Sequence, residues 1–185
     1  AGEYRVTVRN PAGLAYSDAA TLTVLAPPVI ETEPVSQSVV VGGAVTFNVT
    51  ASGTPPLSYQ WRFGGTRLTG ATKASLLLTN VQVAQTGAYS VTVTNAAGAV
   101  TSANAVLTVI VPPLISSQPQ SRTVIAGGTV TFNVVAGGTP PLSYQWQWNG
   151  ANLLGATNTA LILSNVQAAH AGNYLVVVSN AGGSV

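Results

Sequence analysis

The chain has 185 residues, of which 6 are Lys or Arg, 4 are Asp or Glu and 1 is His, with no Cys and no Met. A charged fraction of 5% lies far below the roughly 25% of an ordinary soluble domain. Thiol nucleophiles, redox pairs, disulfides, cysteine zinc sites and multi-His metal centres are all excluded, and the basic residues are too sparse for ordinary nucleic-acid binding.

The placement of the charges excludes more. The acids Glu3, Asp18, Glu31 and Glu33 all precede Pro34, and no charged side chain follows Arg122. Paired-carboxylate catalysis and a carboxylate-built Ca²⁺ or Mg²⁺ site are therefore ruled out over most of the chain. Disorder is rejected by a hydrophobic content of 46%, the opposite of the low-hydrophobicity, high-charge signature. The longest apolar stretch, Ala105 to Ile115, is broken by Thr108 and Pro112-Pro113, short of the ~18 residues a membrane helix needs. No membrane insertion is expected in this segment.

Internal repetition organises everything else. The nonapeptide GTPPLSYQW ends at Trp61 and recurs unchanged ending at Trp146, a spacing of 85. Tyr4, Tyr89 and Tyr174 keep that spacing, as do Asn10, Asn95 and Asn180, and Pro27-Pro28 maps onto Pro112-Pro113. Residues 1–26 thus read as the last strands of one repeat. Residues 27–111 read as a complete repeat, and 112–185 as a third lacking most of its last strand. The whole reads as a piece of a longer tandem array.

Within a repeat the apolar period is two, which predicts strands. In chain order, Val45, Phe47 and Val49 alternate with Thr46, Asn48 and Thr50. Tyr59, Trp61 and Phe63 alternate with Ser58, Gln60 and Arg62, and Tyr89, Val91 and Val93 with Ser90, Thr92 and Thr94. Gly42-Gly43, Gly53-Thr54-Pro55-Pro56, Gly64-Gly65 and Ala96-Ala97-Gly98 punctuate these runs. Asn149-Gly150 replaces Gly64-Gly65 in the third repeat and predicts a two-residue hairpin turn. Short half-apolar strands at this density predict an all-β fold: tandem two-sheet antiparallel sandwiches joined by short Pro-containing linkers.

Each repeat resembles an immunoglobulin-like domain, close to the intermediate set and to cysteine-free tandem versions in large bacterial surface proteins. Residues 45–53 resemble that family's strand B. Tyr59-Gln60-Trp61 resembles strand C with its buried tryptophan. Thr86-Gly87-Ala88-Tyr89 resembles the tyrosine corner that opens strand F, and Asn95-Ala96-Ala97-Gly98 the F–G turn. The resemblance implies a structural core of Trp61, Trp146, Tyr89 and Tyr174. It places the family's paired cysteines at Val49 and Val91, and at Val134 and Val176. Gln85 and His170 stand where the family usually has an aspartate. Losing a disulfide forgoes about 2–4 kcal/mol, so packing of the valines must compensate. The resemblance also implies a secreted or cell-surface location.

Candidate chemical residues are few. His170 has no Asp or Glu nearby to orient it as a base, which makes it a turn residue, and no cofactor is expected. Trp148 is in phase with Tyr144 and Trp146, which favours a core position over a sugar-stacking one. Tyr16 is an exposed aromatic, Asn48-Val49-Thr50 a formal glycosylation sequon read as an ordinary outward strand, and Lys73 a loop lysine without a carboxylate partner for a cross-link. The outward faces of the third repeat are more apolar than their counterparts. On strand F, Leu175 and Val177 replace Ser90 and Thr92; on the opposite sheet, Val135 replaces Thr50 and Ile162 replaces Leu77. These four, spread over both solvent faces, are the candidate contact surface, since exposed apolar residues mark contact sites where they form contiguous patches.

The expected function is structural and non-catalytic: a stiff spacer or fibre-forming rod within an extracellular array. The expected partner is other copies of the same array. The alternative is an adhesin or a carbohydrate- or protein-binding module. It is not expected to be an enzyme.

Overall fold

The computed structural model describes residues 1–185, and regular structure is almost entirely strand. The opening segment holds β1 (Gly2–Tyr4), β2 (Thr7–Asn10), β3 (Gly13–Tyr16) and β4 (Ala20–Leu22). The middle repeat holds β5 (Val29–Thr32), β6 (Gln37–Val40), β7 (Val45–Asn48), β8 (Thr50–Ser52), β9 (Ser58–Phe63), β10 (Thr66–Arg67), β11 (Ser75–Leu78), β12 (Gly87–Asn95), β13 (Gly98–Thr101) and β14 (Ala105–Ile110). The third holds β15 (Leu114–Ser117), β16 (Val130–Asn133), β17 (Val135–Gly137), β18 (Ser143–Trp148), β19 (Ala151–Asn152), β20 (Ala160–Leu163), β21 (Tyr174–Asn180) and β22 (Gly183–Ser184). Contacts group the chain into two compact units. One comprises Ala1–Ser36, Thr46–Leu76 and Ala88–Ala105, and the other Gln37–Val45, Leu77–Gly87 and Val106–Val185.

In the first unit, β2 and β3 form a hairpin with Asn10 opposite Gly13, and β1 pairs antiparallel with β4. β9 pairs antiparallel with β12, setting Trp61 opposite Val91, and β13 lies along β12 with Gly98 opposite Asn95. The period-two alternation of strand B appears directly as burial: Phe47 and Val49 are buried while Thr46, Asn48 and Thr50 are exposed. Phe47 stacks on Tyr89 at 5.1 Å and lies 6.2 Å from Trp61. The indole N–H of Trp61 donates to the carbonyl of Lys73 at 2.9 Å, which satisfies its one polar atom. Ser90, expected to face solvent, is buried. It stands opposite Arg62, whose guanidinium reaches Thr92 Oγ1 and the Gly65 carbonyl and so lies across that face.

In the second unit, β14 runs parallel to β6 with Val109 opposite Val39. The third repeat contributes β16 paired with β20 and β18 paired with β21, both antiparallel. Its core is Val134, Trp146, Leu161, Val176 and Val178, supplied by both strand pairs, which is the two-sheet sandwich that the alternation predicts. Val134 and Val176 are both buried, so the valines occupy the interior where the family carries sulfur. Tyr174 departs from expectation by being half-buried while Tyr89, its counterpart, is 2% exposed. Tyr174 borders an open cavity.

Candidate functional site

A repeated hydrogen-bond cluster ties each Pro-Pro linker to the repeat that follows it. The cluster begins with the asparagine at the turn after strand F. Asn95 Oδ1 accepts the N–H groups of Ala97 and Gly98 at 2.9 and 3.1 Å, an Asx turn that closes the hairpin. Its amide is then free to donate to the carbonyls of Ala26 at 2.7 Å and Thr54 at 2.9 Å. Thr54 completes the cluster: its Oγ1 accepts from Ala26 N–H at 2.8 Å, and its own N–H donates to Ala26 at 3.1 Å.

The second joint copies the first. Asn180 donates to the carbonyls of Val111 at 2.8 Å and Thr139 at 2.9 Å. Val111 N–H donates to Thr139 Oγ1 at 2.8 Å, and Thr139 N–H returns to Val111 at 3.0 Å. Ala26 and Val111 each precede a Pro-Pro pair that fixes φ and offers no N–H. Both backbone groups of these residues are satisfied by the following repeat. The threonine belongs to the repeated nonapeptide, and its neighbour Gly53 sits at φ +138° with the Pro27 carbonyl 2.9 Å from where a Cβ would stand. The glycine lets the linker pass. At the second joint the backbone of Gly182 comes up against Ile110, at the end of the preceding strand, with 2.9 Å between Ile110 Cγ2 and a Cβ built there.

The remaining candidates are placed as follows. Leu175, Val135 and Ile162 are exposed, and Val177 is half-buried opposite Gln145. Leu175 and Val177 lie on β21, Val135 on β17 and Ile162 on β20, strands of three separately paired sheets. His170 lies in a turn where its Nδ1 accepts the Gln167 N–H at 3.0 Å and its carbonyl accepts the Tyr174 hydroxyl at 2.8 Å. Gln85 makes the equivalent bond to Gln82 N–H at 2.8 Å. Both side chains cap the short 3-10 turn that precedes strand F. Trp148 is half-buried and stacks on Tyr174, its indole N–H buried without an acceptor. Burial pushes the hydroxyls of Tyr89 and Tyr174 above the ordinary value of 10.0. Asn48 and Tyr16 are exposed.

Sequence reasoning noted Asn95, Asn180 and the nonapeptide threonine only as markers of the repeat. Their shared work at the joint was missed, although the signal existed: polar residues kept at a fixed spacing on turns need partners.

These sandwiches and their clamped joints define a tandem β-sandwich array. The sequence matches the immunoglobulin domain over residues 27–95 and 112–180, and the chain belongs to that family. It is 30% identical to human leucine-rich repeats and immunoglobulin-like domains protein 3 over 97% of this chain and 17% of that protein. It is 32% identical to rat Roundabout homolog 1 over 80% of this chain and 10% of the relative. Among solved structures it resembles a three-domain stretch of titin, with TM-score 0.80 and 26% identity, covering 100% of this chain and 71% of that one. Immunoglobulin domains 1–4 of Sidekick-1 give TM-score 0.76 and 26% identity, covering 100% and 56%. The chain spans no more than 18% of the leucine-rich repeat relatives it matches. These curated relatives come from human, mouse and rat and lend no support to a bacterial type or to a filament.

Proposed function

We propose that this chain is a non-catalytic, extracellular or cell-surface segment of a longer immunoglobulin-domain array that acts as a stiff spacer. The observation that carries the reading is the clamp at Ala26 and Val111, where the residue before each Pro-Pro pair is bonded through both backbone groups to the next repeat. A spacer needs joints that resist bending, and a linker without a Gly/Ser tether, fixed by proline and by asparagine, meets that need. Similarity to multi-domain immunoglobulin proteins supports the surface location.

The test is a distance distribution across the joint. The chain has no cysteine, so spin labels at Asn48→Cys and Asn133→Cys, both exposed strand positions, report on the middle and third repeats alone. A single narrow distance that broadens with Asn180→Ala is expected. A broad distribution in the parent chain would sink the spacer reading.

A second reading rests on a separate observation. Leu175, Val135 and Ile162 are exposed apolar residues on strands without charge nearby, which favours side-by-side contact with other copies or with a protein ligand. Here Leu175→Lys with Val177→Lys lowers association on light scattering, and the joint is irrelevant.

A further inference from the structure

Equivalent cross-strand pairs in the middle and third repeats differ in chemistry. In the third repeat Gln147 of β18 stands opposite Asn152 of β19, and its amide donates to Asn152 Oδ1 at 2.8 Å. That pair is neutral and satisfies itself. In the middle repeat the same two positions hold Arg62 and Arg67, directly opposite each other on β9 and β10. A guanidinium donates and cannot accept, so neither arginine can serve the other. Like charges facing each other across strands are also destabilising.

Nothing on this face neutralises the pair. β9, β10, β12 and β13 all follow Pro34, after which the chain has no Asp or Glu. Glu33, the last acid, accepts the Ala103 N–H at 3.0 Å. Arg62 is held in place, its Nη1 donating to the Gly65 carbonyl at 3.0 Å and its Nε to Thr92 Oγ1 at 3.4 Å. Its Nη2 is left for an outside acceptor, and Arg67 is exposed beside it. The neighbouring outward positions are amides and hydroxyls: Gln60 lies opposite Thr92, Ser58 opposite Thr94, and Thr92 opposite Thr101. A face with two cations and no aromatic side chain suits a polar anion. Protein interfaces centre instead on aromatic anchors.

We propose that the Arg62–Arg67 pair on the outward face of β9 and β10 binds the sulfate esters of an acidic polysaccharide. A sulfate ester presents three terminal oxygens and can accept from both guanidinium groups at once, whereas a carboxylate has two and matches a single fork. Bound there, it offsets the repulsion within the pair, and the threonine hydroxyls beside it face the sugar. Both arginines belong to the complete middle repeat, and the proposal does not rest on the spacer reading.

The test is an NMR titration of the ¹⁵N-labelled chain with a heparin hexasaccharide at physiological ionic strength. The Nε–H signals of Arg62 and Arg67 are expected to shift and saturate together, along with the Gly65 and Thr92 amides. Arg62→Gln with Arg67→Asn installs the pair that the third repeat already carries in paired strands. The dissociation constant read from those amides should rise at least about tenfold. Lys73→Gln with Arg122→Gln removes the same charge from other positions and should change it less than about twofold, since distant charges are screened. The proposal is overturned if the parent shows no saturable shifts, or if the two double variants lose affinity equally. It is equally overturned if a polyglutamate peptide or hyaluronan binds as tightly as the hexasaccharide, because the site would then select carboxylates.

Discussion

The side-chain amide of Asn180 donates to the carbonyl of Val111 at 2.8 Å, joining the turn after strand F to the residue that precedes its own repeat. The same side chain also bonds Thr139 and Gly182. Replacing it by alanine removes these bonds at once and leaves the Val111 carbonyl with one donor. At about 1 kcal/mol per hydrogen bond, Asn180→Ala is expected to cost about 2–3 kcal/mol in denaturant unfolding. The more specific readout is amide exchange: the Val111 and Thr139 N–H groups should exchange faster, while Trp146 N–H, bonded to Ala156 at 2.9 Å, does not. Uniform acceleration across the repeat would show that the asparagine supports the sandwich and not the joint.

Neighbouring glycines of the third repeat separate close approach from general sensitivity. Gly138 sits at φ +139°, and a Cβ there would stand 3.0 Å from the Pro112 carbonyl; Gly137 has open space around it. Gly138→Ala combines a left-handed backbone with a clash against the linker, for which about 2–3 kcal/mol is expected. Gly137→Ala should change stability by less than ~0.5 kcal/mol. Equal melting temperatures for the two variants would remove the linker contact as the reason for this glycine.

The paired tryptophans of strand C make opposite predictions. Trp146 is fully buried and donates to the Asn158 carbonyl at 2.9 Å. Trp148 buries its N–H without an acceptor, because the backbone of Gly172 packs against the indole edge. An unmet buried donor costs about 1–3 kcal/mol, and the middle repeat places Phe63 at this position, 4.9 Å from Tyr89. Trp148→Phe is therefore expected to leave the melting temperature unchanged or higher. Trp146→Phe loses a bond and opens a void, and should be less stable than Trp148→Phe by at least about 2 kcal/mol.

The strands were legible because burial here follows simple alternation. Phe47, Val49, Trp61 and Val91 face inward as period two demands, and Gly and Pro clusters mark the turns. What escaped are features set by pairs of distant residues. Asn95 meets Ala26 across 69 positions, and no local pattern encodes such a meeting. Ser90 is polar, in phase with solvent, and nonetheless buried, opposite Arg62 on the adjacent strand, whose guanidinium bonds Thr92.

Alkaline titration should reveal the tyrosine corner. Burial raises the hydroxyls of Tyr89 and Tyr174 above 10.0, whereas in the unfolded chain they ionise near that value. At pH above about 10 the folded state therefore binds more protons than the unfolded state, and the free energy of unfolding falls as pH rises. The stability is fully present below pH 10 and is lost on passing through the raised values. Tyr174→Phe separates this from the hydrogen bond. It gives up the bond to the His170 carbonyl, costing about 1 kcal/mol at neutral pH, yet it should flatten the alkaline decline of the third repeat. If the slope above pH 10 is the same in Tyr174→Phe as in the parent, the Tyr174 hydroxyl is not what makes the fold sensitive to base.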